Sequence, residues 1–244
     1  MTQSHELEPA YVLHTRHYRD TSLLVDLFTL HHGKIATVAR GARNQKSTAK
    51  NLLQPFAPLL VSWVGKHELT TLRQVEPSGI PFYLKDTSLY TGLYLNELLL
   101  RLSSHFETCP VLFELYQKTL MKLKDENFSV SYLREFERQL LIQLGYGLHF
   151  SNEVDSGHAI ELDGFYYFTY EVGFIRVSQL ELSRESTRKK FSGKAILAIH
   201  QGDFSDESLL SEIKELMRVV FAHLLGNKPL KSRELLVQYK KLLA

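Results

Sequence analysis

Over its first eighty residues the chain alternates short apolar runs with polar turns, and then its period changes. Tyr11–Arg16, Ser22–Thr29 and Lys34–Ala39 are rich in β-branched and large apolar residues, and Tyr18-Arg19-Asp20 and His31-His32-Gly33 separate them. Pro55 and Pro58 introduce Leu59–Val64, in which Leu59, Val61 and Trp63 alternate with Leu60, Ser62 and Val64. Lys66-His67 then turns the chain into Leu69–Val75. Five short strands with tight turns predict a small closed barrel, because closure removes the unpaired edges of a sheet.

Pro77, Gly79 and Pro81 end that pattern, and helical spacing follows. Leu93, Leu95, Leu98, Leu99 and Leu102 predict a helix over Leu89–Ser103, and Leu112, Leu115, Tyr116 and Leu120 predict a second over Val111–Leu123. A third is expected from Ser131, its predicted cap, through Leu133, Phe136, Leu140 and Leu144 to Gly145-Tyr146-Gly147. Asp163-Gly164 between Ile160–Leu162 and Phe165–Phe168 reads as a hairpin turn, with a second turn at Gly173 leading into Phe174–Val177. Helices resume over Lys189–His200 and Asp206–Leu225; Gly226 and Pro229 end the latter, and Ser232 is the expected cap of the last one. The fold class is therefore α+β: a barrel over 1–80, then a mostly helical domain over 81–244 with a small β insertion around 159–178.

Composition narrows the function classes. The apolar and charged fractions, 44% and 23%, are those of an ordinary globular chain. The single cysteine, Cys109, excludes an intrachain disulfide and a cysteine-only zinc site, which fits a reducing compartment. No positive stretch followed by an apolar run opens the chain, and no apolar segment approaches the ~20 residues of a membrane span, so a signal peptide and a membrane partner are not expected.

Charge changes the picture more. The whole chain carries only +2, yet no carboxylate occurs between Asp26 and Glu68, where Lys34, Arg40, Arg43, Lys46, Lys50 and Lys66 all lie. A local field of one sign attracts a polyanion and releases its counterions, which makes nucleic acid the leading partner. Gly41, inside Arg40-Gly41-Ala42-Arg43, lets a phosphate approach the main chain. The stretch Gly41–Thr48 is not a nucleotide loop. That loop needs glycine immediately before its lysine and six residues before it, and those positions hold Gln45 and Arg40.

Other chemistry finds little support. His14, His17, His31, His32, His149 and His158 form no helical His-Glu-x-x-His pair, and no Gly-x-Ser-x-Gly elbow occurs. Arg134 and Arg138 share one helix face beside Leu141, and such a pair beside an apolar groove suits a peptide ending in acids and a bulky apolar residue. Glu135 and Glu137 offer the alternative of a mixed, neutral surface, which spacing alone favours.

Leu24–Thr29, Gly41–Arg43, Leu53–Phe56, Leu72-Arg73, Tyr90–Leu98, Leu133–Phe136, Leu144–Gly147 and Lys228–Leu235 resemble, in order along nearly the whole chain, the RecO family of bacterial DNA repair proteins. The resemblance implies an N-terminal OB-fold and a helical C-terminal domain in a non-enzymatic recombination mediator. Such a mediator binds single- and double-stranded DNA, anneals complementary strands, and works with RecR and single-stranded DNA-binding protein so that RecA can load. It places Arg40, Arg43, Lys46 and Lys50 on the DNA-binding face. It also raises Arg134, with Arg138, as the grip for the acidic C-terminal tail of single-stranded DNA-binding protein. Many relatives carry four cysteines as a zinc site after the Gly-Tyr-Gly segment, whereas Ser151–Gly164 has none, so no metal or other cofactor is expected. A bacterial cytoplasmic, nucleoid-associated location follows from the same resemblance. The rivals are a metal-dependent nucleic-acid hydrolase, which needs clustered carboxylates that the basic stretch lacks, and a protein-interaction scaffold with incidental DNA binding.

Overall fold

A computed structural model of the chain describes residues 4–243 except 66–67, 105–106, 126–127, 147–149, 179–187 and 227. Five strands close into a barrel in the order β1-β2-β3-β5-β4: β1 Ser4–Tyr18, β2 Ser22–Thr29, β3 Gly33–Ala39, β4 Leu59–Val64 and β5 Leu69–Pro77. All pairings are antiparallel except β3 with β5, and a one-turn helix, α1 (Ala49–Leu52), lies between β3 and β4. This is the OB-fold. Its interior is filled by the inward positions the alternation marked, Leu59, Val61 and Trp63 of β4 against Val12, Leu23, Val25, Leu27 and Ile35.

β2 departs from alternation because every one of its residues is buried. Its second face is covered by helix: Phe28 and the paired Tyr11 meet Phe113 and Tyr116 of α3 (Pro110–Leu123) at ring-centroid distances of 5.2–6.1 Å. A register shift between Val12 and His14 interrupts β1, and Asn96 of α2 (Asp86–Leu102) uses that gap. Its side-chain amide donates to the carbonyls of Val12 and Leu13, and the Tyr116 hydroxyl donates to its Oδ1 at 2.6 Å. Burial pushes the Tyr11 phenol up to about 12 and also raises Tyr116, as expected for hydroxyls sealed in a packed seam.

The chain divides into two compact units: residues 1–128 with 229–244, and residues 129–228. The first holds the barrel, α2, α3 and the last helix, which we number α7 (Lys231–Leu243). Ser232 is not the cap of α7. It lies within the helix, and the Glu97 carboxylate of α2 accepts the N–H groups of Lys231 and Ser232 together with the Ser232 hydroxyl. A carboxylate from a neighbouring helix thus satisfies the orphan donors and the positive end of the dipole.

The second unit contains α4 (Val130–Gln143), a three-stranded sheet of β6 (Phe165–Thr169), β7 (Gly173–Arg176) and β8 (Lys190–Ser192), then α5 (Gly193–Gln201), a 3₁₀ turn over Glu207–Leu209 and α6 (Leu210–Leu224). α4 starts one residue before Ser131, so Ser129 caps it by accepting the Ser131 N–H. α4 ends at Gln143 and Gly145 turns the chain at φ +69°, as expected of the stop, whose Gly147 lies outside the described residues. A turn closes at Asp163-Gly164, where the Gly164 N–H donates to the Glu161 carbonyl, but Ile160–Leu162 is not a strand, so the hairpin is the one expected at Gly173, between β6 and β7. Gly164 also allows a close approach: a Cβ there would stand 2.6 Å from the Tyr166 hydroxyl, which accepts the Glu161 N–H. Lys190–Ser192 is strand, because Phe191 is buried and pairs with Tyr166, so the helix expected from Lys189 begins only at Gly193. Ser192 caps it.

Candidate nucleic-acid interface

The basic stretch becomes a loop fastened to one end of the barrel. β3 stops at Ala39, Arg40 is exposed, and Gly41 turns the backbone at φ +66°. Ala42, Leu53 and Ala57 belong to the barrel core, with Ala49 and Leu52 of α1 packed against it. These apolar anchors fix the path of the loop and leave Lys46 and Lys50 exposed. Arg43, expected on the DNA-binding face, ties the loop to the β1–β2 turn. Its amide donates to the Thr21 carbonyl at 2.9 Å, and its guanidinium donates to the carbonyls of Arg19 and Asp20 at 3.3 and 2.9 Å.

Strand register then adds cations that lie outside the acid-free window. Arg16 pairs with Leu24, Leu24 with Val38, and Val38 with Thr71, and residues directly opposite share a face. Arg40 and Arg73 each stand two residues beyond Val38 and Thr71. Arg73 is the extra residue of a bulge in β5, between the Trp63–Leu72 and Ser62–Gln74 pairs. Arg16, Arg19, Arg40, Lys46, Lys50 and Arg73 are all exposed, and Asp20 is the acid of the same β1–β2 turn. Sequence reading missed Arg16, Arg19 and Arg73 because Asp20, Asp26 and Glu68 interrupt the run of cations along the chain. The signal that could have found them was the barrel register, which brings β1 and β5 to either side of β2 and β3.

Lys34 does not belong to this surface. Its residue is only 7% exposed, and its ammonium donates to the Leu100 carbonyl at 2.7 Å, docking α2 onto β3. Burial lowers its pKa and nearby Asp26 opposes that shift. Lys66 lies outside the described residues.

The helical pair is placed just as differently from its expectation. Arg134 is 4% exposed and Glu137 1%, and they form an ion pair at 2.7 Å along the inner face of α4. Arg138 is engaged too: its Nε donates to the Ile199 carbonyl at 2.7 Å and Nη2 to the His200 carbonyl at 3.1 Å, with Glu135 at 3.5 Å. It therefore satisfies the carbonyl end of α5, where a cation also complements the dipole. The reason is positional. Residues 134, 137 and 141 repeat at helical spacing on the face that α4 buries, so the cation and its acid enter together.

The histidines act locally. The Glu8 carboxylate accepts the His31 N–H at 2.6 Å and lies 3.1 Å from its ring, and His14 lies 3.6 Å from Asp26. His149 lies outside the described residues. Among the described residues no group of three His, Cys, Asp or Glu is placed to hold a metal ion, and no helix is long and apolar enough to cross a membrane. The segment before β6 is held by ion pairs and a backbone hydrogen bond. Arg176 donates to Glu161 at 2.5 Å and lies 3.6 Å from buried Glu153, and the Val154 N–H donates to the Phe174 carbonyl.

Residues 1–80 match the family described as Recombination protein O N terminal, and residues 87–234 match Recombination protein O C terminal. The DNA repair protein RecO of Coxiella burnetii is 47% identical over 236 residues, covering 97% of this chain and 100% of the relative. Proteins of the same name from Tolumonas auensis and Haemophilus influenzae are 45% and 42% identical, covering 94% and 96% of each chain.

Proposed function

The chain belongs to the recombination protein O family, and from that premise we propose that it is a DNA-repair mediator whose barrel end grips the phosphates of single- and double-stranded DNA. The observation that carries this reading is the exposed cluster of Arg16, Arg19, Arg40, Lys46, Lys50 and Arg73 around the β1–β2 turn and the loop after β3. Spread over three strands and a loop, these charges can neutralise two strands at once. That lowers the repulsion opposing their annealing. No bond is made or broken in this role, so the protein acts without catalytic residues, in the bacterial cytoplasm and on the nucleoid.

In the same reading the helical unit docks on the C-terminal tail of single-stranded DNA-binding protein, and together with RecR the mediator helps RecA load. Docking raises the local concentration of the barrel on coated strands. Arg134 takes part by exchanging the Glu137 carboxylate for one from the tail, while Arg138 stays on the α5 carbonyls. Glu137→Gln removes the competing charge and should tighten binding of an acidic C-terminal peptide. Unchanged affinity would take Arg134 out of the site.

The main test is salt dependence. With four to six phosphate contacts, log affinity for single-stranded DNA should fall with log salt at a slope of about −3 to −4. A flat dependence would end the phosphate-grip reading. Annealing of strands precoated with single-stranded DNA-binding protein, with and without its C-terminal tail, tests the mediator role and the docking partner together.

A further inference from the structure

We propose that Tyr18 and Arg19 form a base-stacking platform that reads unpaired nucleotides at the β1–β2 turn, an inference that rests on the nucleic-acid reading above. Tyr18 ends β1 opposite Ser22, on the same face as Arg16, and is half-buried. The Arg19 guanidinium carbon lies over its ring, 5.4 Å from the centroid. Arg19 adopts φ +51°, a left-handed conformation that a residue with a Cβ seldom takes. What holds it there is Arg43, whose guanidinium donates to the carbonyls of Arg19 and Asp20 and whose amide donates to Thr21.

Three residues thus divide the labour. Arg43 is a positioning residue that fixes the turn, Arg19 presents a flat cation, and Tyr18 backs it with a π face. An exposed arginine on a mobile turn would sample many rotamers, whereas this one is held by a cation–π contact with Tyr18, beside Arg16 and Arg40, which supply phosphate contacts. A guanidinium held over an aromatic ring by a cation–π contact, together with that ring, suits the π face of a nucleobase. Such a surface is useful only where bases are unpaired, since a duplex hides the faces of its bases within the stack. The platform therefore gives the barrel end a preference for single strands that its phosphate contacts alone do not provide.

The experiment titrates the full chain and its variants with a labelled oligothymidylate and with a duplex of equal length across a salt series, with thermal melts to monitor folding. Tyr18→Leu should lower single-strand affinity about ten-fold, the scale of one lost base stack, at an unchanged salt slope, and duplex affinity far less. Tyr18→Phe keeps the ring and should retain the single-strand preference. Arg19→Asn tolerates the left-handed backbone and should lose it, as should Arg43→Ala by releasing the turn. If Tyr18→Leu fails to fold, the contrast between Tyr18→Phe and Arg19→Asn decides. Equal losses for single strand and duplex, or no loss, overturn the platform. A wild-type chain that binds neither DNA in a salt-dependent way overturns the underlying reading instead.

Discussion

The cations after β3 and the cations of α4 show how the same residue types meet opposite fates. Arg40, Lys46 and Lys50 sit in a stretch without carboxylates and remain on the surface. Arg134 and Arg138 each have a glutamate three residues away, and both are drawn into the fold, one by Glu137 and the other by Glu135 and the end of α5. A cation enters a low-dielectric interior only if a partner comes with it. A helix that supplies the acid at i+3 or i−3 makes burial feasible, whereas an acid-free loop leaves water or an external polyanion as the available partners. Local charge pattern thus decides whether an arginine stands open to an external anion or is first paired within the fold, where a ligand must displace its acid. Lys34 qualifies the lesson, because its buried ammonium is stabilised by a carbonyl and a carboxylate distant along the chain or on the neighbouring strand.

The contrast can be broken most directly at Arg134. Arg134→Ala removes the buried Arg134–Glu137 ion pair and should destabilise the chain by roughly 3–5 kcal/mol, measured by denaturant unfolding. Replacing both, Arg134→Met with Glu137→Leu, should recover most of that loss. A fully stable Arg134→Ala that had lost only peptide binding would mean that the two regions do not differ in kind. Next in size is the triple change of Arg40, Lys46 and Lys50 to Gln. It should lower affinity for single-stranded DNA about a hundred-fold near 0.1 M salt and flatten the salt slope by about 2. The melting temperature should hardly move. A large drop in stability would show that these cations are structural as well.

Lys34→Met sharpens the boundary between the two classes. It deprives the Leu100 carbonyl of its donor and should cost about 1–2 kcal/mol of stability while leaving the salt slope of DNA binding intact. The pH dependence has a definite sign. Burial lowers the Lys34 pKa, so between that value and the ordinary ~10.4 the unfolded chain binds more protons and this residue's contribution to stability rises with pH. Comparing wild-type and Lys34→Met melts through that range should show the rise only in the wild type. The smallest effect is expected at Glu161, an exposed carboxylate whose pKa is held down by its hydrogen bond from Arg176 and by that residue's charge. Its contribution is present above the ordinary carboxylate range and is lost as pH falls through the depressed value. Glu161→Gln should therefore change only the acid limb of the stability curve, and only slightly.

Much of this could be read along the chain. The alternation of Leu59, Val61 and Trp63 predicts the inward face of β4, and the Leu95–Leu102 spacing predicts α2, because periods of 2 and 3.6 residues are local properties of the backbone. The absence of acids from 27 to 67 is likewise a property of the sequence, and it marks the loop on which Arg40, Lys46 and Lys50 are exposed. Long-range placement was not legible. Nothing near Asp163-Gly164 reveals that Tyr166 needs the space a side chain would fill, and nothing beside Ser232 reveals that Glu97 caps its helix.

What the sequence determined by itself is therefore the kind of surface this protein carries: strands that close, helices that follow, and one loop whose cations have no acids nearby. Tertiary structure alone decided which cations form that surface. Barrel closure set Arg16 and Arg73 in register with the strand leading to Arg40, packing of α2 withdrew Lys34, and the inner face of α4 enclosed Arg134 with Glu137. Backbone period acts over a few residues, whereas the desolvation that buries or exposes a charge depends on every element packed against it.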